Sequence, residues 1–199
     1  MNILYKIDNS LYVNLTNKCP CACTFCIRID HDSVNGEDNL WLPYDPSIEE
    51  VLAEFEKHDL DSYDQVVLCG YGEPLTRLEV ALEVFKYIRS KSKVTIRINT
   101  NGLADLIHKK PTAHLLEGYV DAISISLNAP TAEEYLAIAR PKFGIESFGA
   151  MLKYAEDCKK YIKEVTFSVV DVITKEQIEA CRKLAESMGT QFRVRAFIE

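Results

Sequence analysis

Short β-branched runs and longer amphipathic stretches alternate along this chain. The strand-like runs are LYVNLT (11–16), QVVLCG (65–70), VTIRIN (94–99), DAISISL (121–127), EVTFSVV (164–170) and FRVRAFI (192–198). Between most of them, apolar residues recur at three- and four-residue spacing, which is the period of an amphipathic helix. This alternation predicts an α/β fold with a parallel sheet and right-handed crossovers.

The predicted helices carry start and stop signals, and they cover residues 45–58, 75–91, 145–162 and 174–189. Asp45 is expected to cap the first of them, with Pro46 at its first helical position. Thr174 is expected to cap the last, and Gly189 to end it. Residues 102–118 have helical tendency, but Pro111 interrupts them.

Six strand–helix units fall short of the eight in a closed barrel of about 250 residues. We therefore expect an open doubly wound sheet or an incomplete barrel within one domain, residues 1–199. In either fold, chemistry gathers at the carboxyl ends of the strands. ILYKID, followed by Asn9 and Ser10, predicts an N-terminal β-hairpin beside the first parallel strand.

Charge and hydropathy restrict the partners of this protein. The chain has 23 Lys and Arg against 30 Asp and Glu, a net charge of -7, which makes bulk nucleic-acid binding an unfavourable hypothesis. No apolar stretch approaches the ~20 residues of a membrane span, and the start lacks a secretory signal. We expect a cytoplasmic protein with reduced thiols and no membrane partner.

Four of the seven cysteines lie in the longest strand-to-helix connection, residues 17–44. Cys19, Cys23 and Cys26 have the spacing C-x3-C-x2-C. Three thiolates in one loop can hold three irons of a [4Fe–4S] cluster and leave the fourth iron open to another ligand. A structural zinc site is the alternative. It would normally need a second ligand pair, which is absent, although His31 is near enough to be a fourth ligand.

The cysteine spacing, with Phe25 before the third cysteine, resembles the signature of the radical SAM superfamily. The resemblance implies an enzyme with two cofactors, a [4Fe–4S] cluster and S-adenosylmethionine (SAM). The same resemblance implies that Cys21 is a non-ligand, although Cys21 and Cys26 would allow the alternative spacing C-x4-C. It also implies a partial (β/α)6 TIM-type barrel of six parallel strands with flanking helices. Reductive cleavage of SAM would give a 5′-deoxyadenosyl radical that abstracts hydrogen from a substrate. An electron donor such as flavodoxin or ferredoxin, and sensitivity to oxygen, are further implications.

Later motifs carry the same resemblance at successive strand ends. CGYGEPL (69–75) resembles the G-G-E-P element, with Tyr71 in place of the first glycine. There the backbone around Gly72, steadied by Glu73, would receive the methionine amino group of SAM. A glycine-rich turn into a helix is the alternative interpretation. INTNG (98–102) would place Asn99, Thr100 and Asn101 at the rim of the site, although Asn-Gly is also a common turn.

Three further segments imply contacts with SAM. In SISLNAP (124–130), Ser126 and Asn128 would contact the ribose or the carboxylate. In YLAIARPKFG (135–144), Arg140 would pair with the carboxylate, unless it is a solvated cation at a helix end. In VVDVIT (169–174), Val172 or Ile173 would form an apolar floor under adenine, unless both have ordinary core roles.

No residue identifies the substrate or a catalytic group that touches it. The YVNLTNKCPCACTFCIR opening and the compact size are similar to those of small radical SAM proteins associated with TatD-family hydrolases. That likeness implies a functional link to a TatD-like hydrolase, and the lateral opening of a short barrel favours a macromolecular substrate or a partner that closes it. The alternatives are an enzyme acting on a small molecule, an activase or modifier of a protein or nucleic acid, and a non-enzymatic Fe–S or zinc module. Arg193 and Arg195 alternate in phase on the last strand. They would suit an anionic substrate if they face inward, or would guard an edge strand.

Overall fold

A single seven-stranded sheet organises the protein in the computed structural model, which describes residues 1–33 and 39–197. The strands are β1 (Leu4–Ile7), β2 (Ser10–Val13), β3 (Gln65–Leu68), β4 (Thr95–Thr100), β5 (Ala122–Ser126), β6 (Glu164–Val170) and β7 (Gln191–Arg195). Their order in the sheet is the order along the chain. Strand β1 pairs with β2 as an antiparallel hairpin, and every later pair is parallel. The predicted hairpin and the six parallel strands are confirmed.

Helices connect the parallel strands. They are α1 (Ile48–Phe55), α2 (Leu78–Lys91), α3 (Ala104–His108), α4 (Ala132–Ala139), α5 (Glu146–Cys158) and α6 (Lys175–Ser187). Pro111 separates α3 from a short 3-10 turn at Ala113–Leu116, as its missing N–H predicts. Thr174 caps α6 in a capping box with Gln177, which confirms the predicted start of that helix.

The start of α1 corrects the sequence-based cap. Ser47, rather than Asp45, is the N-cap: its hydroxyl accepts from the Glu50 N–H, and the Glu50 carboxylate accepts from the Ser47 N–H. Asp45 instead accepts a hydrogen bond from the Thr16 hydroxyl at 2.6 Å and pairs with Lys18 at 2.6 Å. Asp45 therefore ties the end of this connection to its beginning, at the carboxyl end of β2.

The sheet is curved and its two edges do not meet. On β4, Ile96 and Ile98 are fully buried in the hydrophobic core, so Asn99 faces the opposite side of the sheet. That side lines a cavity shared by Cys69, just after β3, and Arg195 on β7. Four strand spacings would separate these strands by about 19 Å in a flat sheet. The sheet therefore wraps around the cavity as a partial barrel, with β1 and β7 as its edges.

Candidate functional site

The cysteine loop follows β2 and rests on the C-terminal end of α4. The Ala22 N–H donates to the Ala139 carbonyl at 3.1 Å, and the Thr24 N–H donates to the Ile138 carbonyl at 2.9 Å. This backbone pairing holds the loop over the carboxyl ends of the strands. There, Cys19, Cys21, Cys23, Phe25 and Cys26 line one cavity of about 270 Å³.

Cys21 differs from its three neighbours. It is buried in the main hydrophobic core, and its backbone forms a bridge with Pro141. Hydrogen bonding with the Cys21 thiol lowers the pKa of Cys19 and of Cys23, and the same contacts raise the pKa of Cys21. These contacts distinguish Cys21 from Cys19 and Cys23, while burial raises the pKa of Cys26.

The cysteines around the cavity suit an iron–sulfur cluster better than a single metal ion. Within residues 1–33 and 39–197, no three His, Cys, Asp or Glu side chains converge as a group that could hold a single metal ion. A four-iron cluster spreads its thiolate ligands over separate irons, so it requires cysteines arranged around one cavity. Cys19, Cys23 and Cys26 meet that requirement. The Asn101 amide, 3.9 Å from the Cys19 sulfur, adds a donor beside one of them.

Glu73 joins three loops beneath the cysteines. Its buried carboxylate accepts hydrogen bonds from the Leu75 N–H at 3.0 Å, the Thr100 hydroxyl at 2.8 Å and the Asn101 N–H at 2.7 Å. Burial raises the pKa of Glu73 to about 7, while these donors act in the opposite direction. Because the carboxylate already has three partners inside the protein, Glu73 orients backbone around the cavity. The Thr100 hydroxyl has the same supporting role.

The glycine at position 72 allows two loops to run side by side. The Glu73 N–H donates to the Lys18 carbonyl at 2.9 Å. A Cβ at Gly72 would lie 2.4 Å from the Thr16 carbonyl oxygen and 2.6 Å from that of Lys18. Tyr71 points towards the long connection, where its hydroxyl donates to the His31 carbonyl at 2.7 Å. The GYGE turn is thus fixed against the cysteine loop.

Asn99, Ser126 and Asn128 line the cavity, as the strand-end rule predicts. Asn128 has a left-handed backbone, with φ of 58°, and its side chain is almost fully buried. Its Oδ1 atom is buried without a hydrogen-bond partner in the structure. An acceptor of this kind is available to a polar ligand in the cavity.

Two predicted site residues lie outside the cavity lining. Arg140 is exposed at the C-terminal end of α4, where its left-handed backbone (φ of 45°) ends the helix. Ile173 packs, partly buried, against the hydrophobic core, and Val172 is exposed. The apolar residue from this region that lines the cavity is Val170, at the end of β6. The apolar contact expected from Ile173 is therefore available from Val170, three residues earlier in the chain.

Arg28 and Tyr135 have roles that the sequence did not indicate. The Arg28 guanidinium donates to the Asn17 carbonyl at 2.8 Å and to the Tyr71 carbonyl at 3.1 Å, so it joins the cysteine loop to the GYGE turn. The only feature of the sequence that could have indicated this role is the position of Arg28 just after the third cysteine. Its partners are backbone carbonyls, which no side-chain motif reveals. Tyr135 is buried on α4 and lines the cavity.

The fold and cavity define a partial-barrel protein whose ligand site lies at the carboxyl ends of its parallel strands. The chain belongs to the radical SAM superfamily, whose family profile matches residues 13–188. Members of this family use a [4Fe–4S] cluster and SAM. No helix in the described part of the chain is long and apolar enough to cross a membrane.

Curated relatives cover much of this chain but extend beyond it. The chain is 29% identical over 181 residues to a probable GTP 3′,8-cyclase of Methanocaldococcus jannaschii, a match that covers 88% of this chain and 55% of that protein. It is 30% identical over 141 residues to the GTP 3′,8-cyclase of Corynebacterium glutamicum strain R, covering 68% and 35%. The chain thus spans about half, or less, of the length of these relatives.

Solved structures share the fold at low sequence identity. A radical SAM methyltransferase from Sphaerobacter thermophilus superimposes with a TM-score of 0.64 at 19% identity, covering 97% of this chain and 57% of that one. Streptococcus suis SuiB bound to SAM gives a TM-score of 0.63 at 16% identity, covering 94% and 38%. These likenesses confirm the α/β partial barrel.

Proposed function

We propose that this protein is a radical SAM enzyme whose cluster is held by Cys19, Cys23 and Cys26. When bound, the reduced cluster supplies the electron that cleaves a C–S bond of SAM, giving methionine and a 5′-deoxyadenosyl radical that abstracts hydrogen from the substrate. One observation carries the proposal. The three cysteines line the same cavity as residues from the ends of five parallel strands.

The side chains of this protein would position SAM rather than react with it. Glu73 and Gly72 hold the GYGE backbone against the cysteine loop, where it can receive the methionine amino group. Ser126 and the open Oδ1 of Asn128 supply hydrogen-bonding groups to the ribose or carboxylate. Val170 offers an apolar surface to adenine in place of Ile173. Phe25, on the cysteine loop, covers the cavity beside the cluster ligands.

The test is anaerobic reconstitution with iron and sulfide, followed by reduction with dithionite or with flavodoxin and its reductase in the presence of SAM. We expect the electron paramagnetic resonance signal of a reduced [4Fe–4S] cluster and formation of 5′-deoxyadenosine and methionine. Replacing Cys19 with alanine should abolish both. A protein that assembles the cluster but neither binds nor cleaves SAM would refute the enzymatic proposal and favour an electron-transfer module.

The substrate and the partner are separate proposals. The names of the curated relatives make GTP the first small molecule to test for 5′-deoxyadenosine-coupled turnover. The likeness to small TatD-associated proteins makes a TatD-like hydrolase a candidate partner, and the open side of the partial barrel makes a macromolecular substrate a second candidate. Within residues 1–33 and 39–197, β7 is a sheet edge, and Val194 on it and Phe197 just beyond it are exposed, which supports an interaction with a macromolecule there. Light scattering of the mixed proteins tests it, and a mixture without a complex would count against this partner.

A further inference from the structure

Three arginines face the inside of the partial barrel. Arg97 lies between the buried residues Ile96 and Ile98 on β4, so it faces the concave side of the sheet. On β7, Phe192 packs against the outer core, so Arg193 and Arg195 face inward as well. Of the two interpretations of Arg193 and Arg195 given by the sequence, the inward-facing one therefore applies.

Their positions along the strands place these arginines at different distances from the cavity lining. The residues that line the cavity at the strand ends are Asn99, Ser126, Val170 and Arg195. Two residues earlier on the same four strands stand Arg97, Ser124, Ser168 and Arg193. Two residues of strand correspond to about 6.6 Å. Arg195 therefore belongs to the cavity lining, and Arg97 and Arg193 form part of the layer directly beneath it.

Arg97 on β4 and the two arginines on β7 act on the same side chains, although two strands, β5 and β6, lie between β4 and β7. Burial raises the pKa of Tyr12 on β2, and the charges of Arg97 and Arg193 both act to lower it. Burial likewise raises the pKa of Cys69, and the charges of Arg195 and Arg97 oppose that rise. The pKa values of Tyr12 and Cys69 are thus each affected by guanidinium groups on both β4 and β7.

No carboxylate of the described residues neutralises this cluster. The salt bridges within residues 1–33 and 39–197 include none to Arg97, Arg193 or Arg195. The Nε atoms of Arg97 and Arg195 are buried without a hydrogen-bond partner. Arg89, by contrast, pairs with Asp121 at 2.5 Å. Arg193 is exposed, but the unpaired buried Nε atoms of Arg97 and Arg195 are costly, and an anion bound beside them would offset that cost.

We propose that Arg97, Arg193 and Arg195 form an anion-binding subsite that holds a phosphate or carboxylate group of the substrate. The subsite begins in the cavity lining and extends beneath it, with the Tyr12 hydroxyl beside it. This inference rests on the proposed function only in assigning the anion to the substrate of a radical SAM enzyme. The binding of the anion itself depends on the arginines alone.

The experiment is isothermal titration of the reconstituted protein with inorganic phosphate and, separately, with succinate, at constant ionic strength. Arg97→Gln and Arg195→Gln remove one guanidinium each, Arg195→Lys retains the charge, and Lys183→Gln removes a cation from the exposed surface of α6. We expect saturable binding of phosphate or succinate that weakens about tenfold or more in both glutamine variants. Lysine at 195 should restore part of it, and Lys183→Gln should leave it unchanged. The stronger probe identifies the anion class.

Binding of SAM to the same variants separates this proposal from its main rival, in which Arg195 pairs with the SAM carboxylate. Loss of SAM affinity in Arg195→Gln with unchanged anion binding would overturn the subsite, as would the absence of saturable binding by either probe. Anion binding by a protein that fails to cleave SAM would refute the enzymatic function but not the subsite. If Arg97→Gln fails to fold, Arg193→Gln, at an exposed position of β7, takes its place.

Discussion

The Glu73 carboxylate accepts a hydrogen bond from the Asn101 N–H at 2.7 Å, which joins the loop after β3 to the loop after β4. Asn101 in turn places its amide 3.9 Å from the Cys19 sulfur. One buried acidic side chain therefore connects the GYGEP and TNG motifs to the cysteine loop. The two motifs are far apart in sequence and act as one support for the cavity.

Replacing Glu73 with glutamine should loosen this support. A glutamine amide can accept through one atom only, so a donor at Leu75, Thr100 or Asn101 would lose its partner. We expect the free energy of unfolding to fall by about 1–3 kcal/mol and the affinity for SAM to fall as well. Urea unfolding and SAM titration measure the two effects. Glu186→Gln, at an exposed position of α6, is the matched control, and equal effects of both substitutions would contradict the supporting role.

Substitution of Gly72 by alanine tests the close approach of the two loops. The added Cβ would meet backbone carbonyl oxygens at 2.4 and 2.6 Å, and these atoms cannot move aside as a side chain can. We expect a lower melting temperature and reduced iron content after reconstitution. Gly149→Ala, where nothing lies within 4 Å of the new Cβ in α5, should instead stabilise the protein by about 0.5–1 kcal/mol. Normal iron content in Gly72→Ala would refute the argument.

The cysteine register has its own test. Single alanine variants of Cys19, Cys23 and Cys26 should lose the cluster, because each would leave only two protein ligands. Cys21→Ala should retain the cluster, at a modest cost in stability from its buried site. Iron and sulfide analysis with visible absorption measures the outcome. Retention of the cluster in Cys19→Ala together with its loss in Cys21→Ala would show that the C-x4-C register from Cys21 is the correct one.

The sheet was predictable from the chain because period-two alternation and turn signals specify strands locally. The cap of α1 was not, because Asp45 and Ser47 are both good capping residues. Only the tertiary partners Thr16 and Lys18 decide that Asp45 is used elsewhere. The local pattern therefore predicts that a helix begins here but not which residue caps it.

Site residues at strand ends were predictable from topology, whereas residues that depend on side-chain direction were not. Asn99 and Ser126 lie at the carboxyl ends of parallel strands and Asn128 just beyond one, so they share one end of the sheet. Arg140 ends a helix whose orientation is set by packing, and the structure turns it towards solvent. Arg97 was visible as a polar residue within VTIRIN. Arg97 and Arg193 act on the same side chain, Tyr12, because the sheet is curved. The alternation of polar and apolar residues along a strand gives no information about that curvature.

Two substitutions of Asn128 can distinguish the loss of its side-chain chemistry from the cost of backbone strain. Its φ of 58° is easily adopted by glycine but disfavoured for alanine. Asn128→Gly should therefore keep the loop conformation and remove the side-chain amide with its unpaired Oδ1 acceptor, whereas Asn128→Ala removes the amide and adds strain of about 1 kcal/mol. We expect both variants to assemble the cluster and to bind SAM more weakly, and Asn128→Ala to melt at a lower temperature than Asn128→Gly. SAM titration and thermal unfolding of the reconstituted proteins measure these effects. Wild-type SAM affinity in Asn128→Gly would show that the side chain at 128 serves the loop rather than the cofactor.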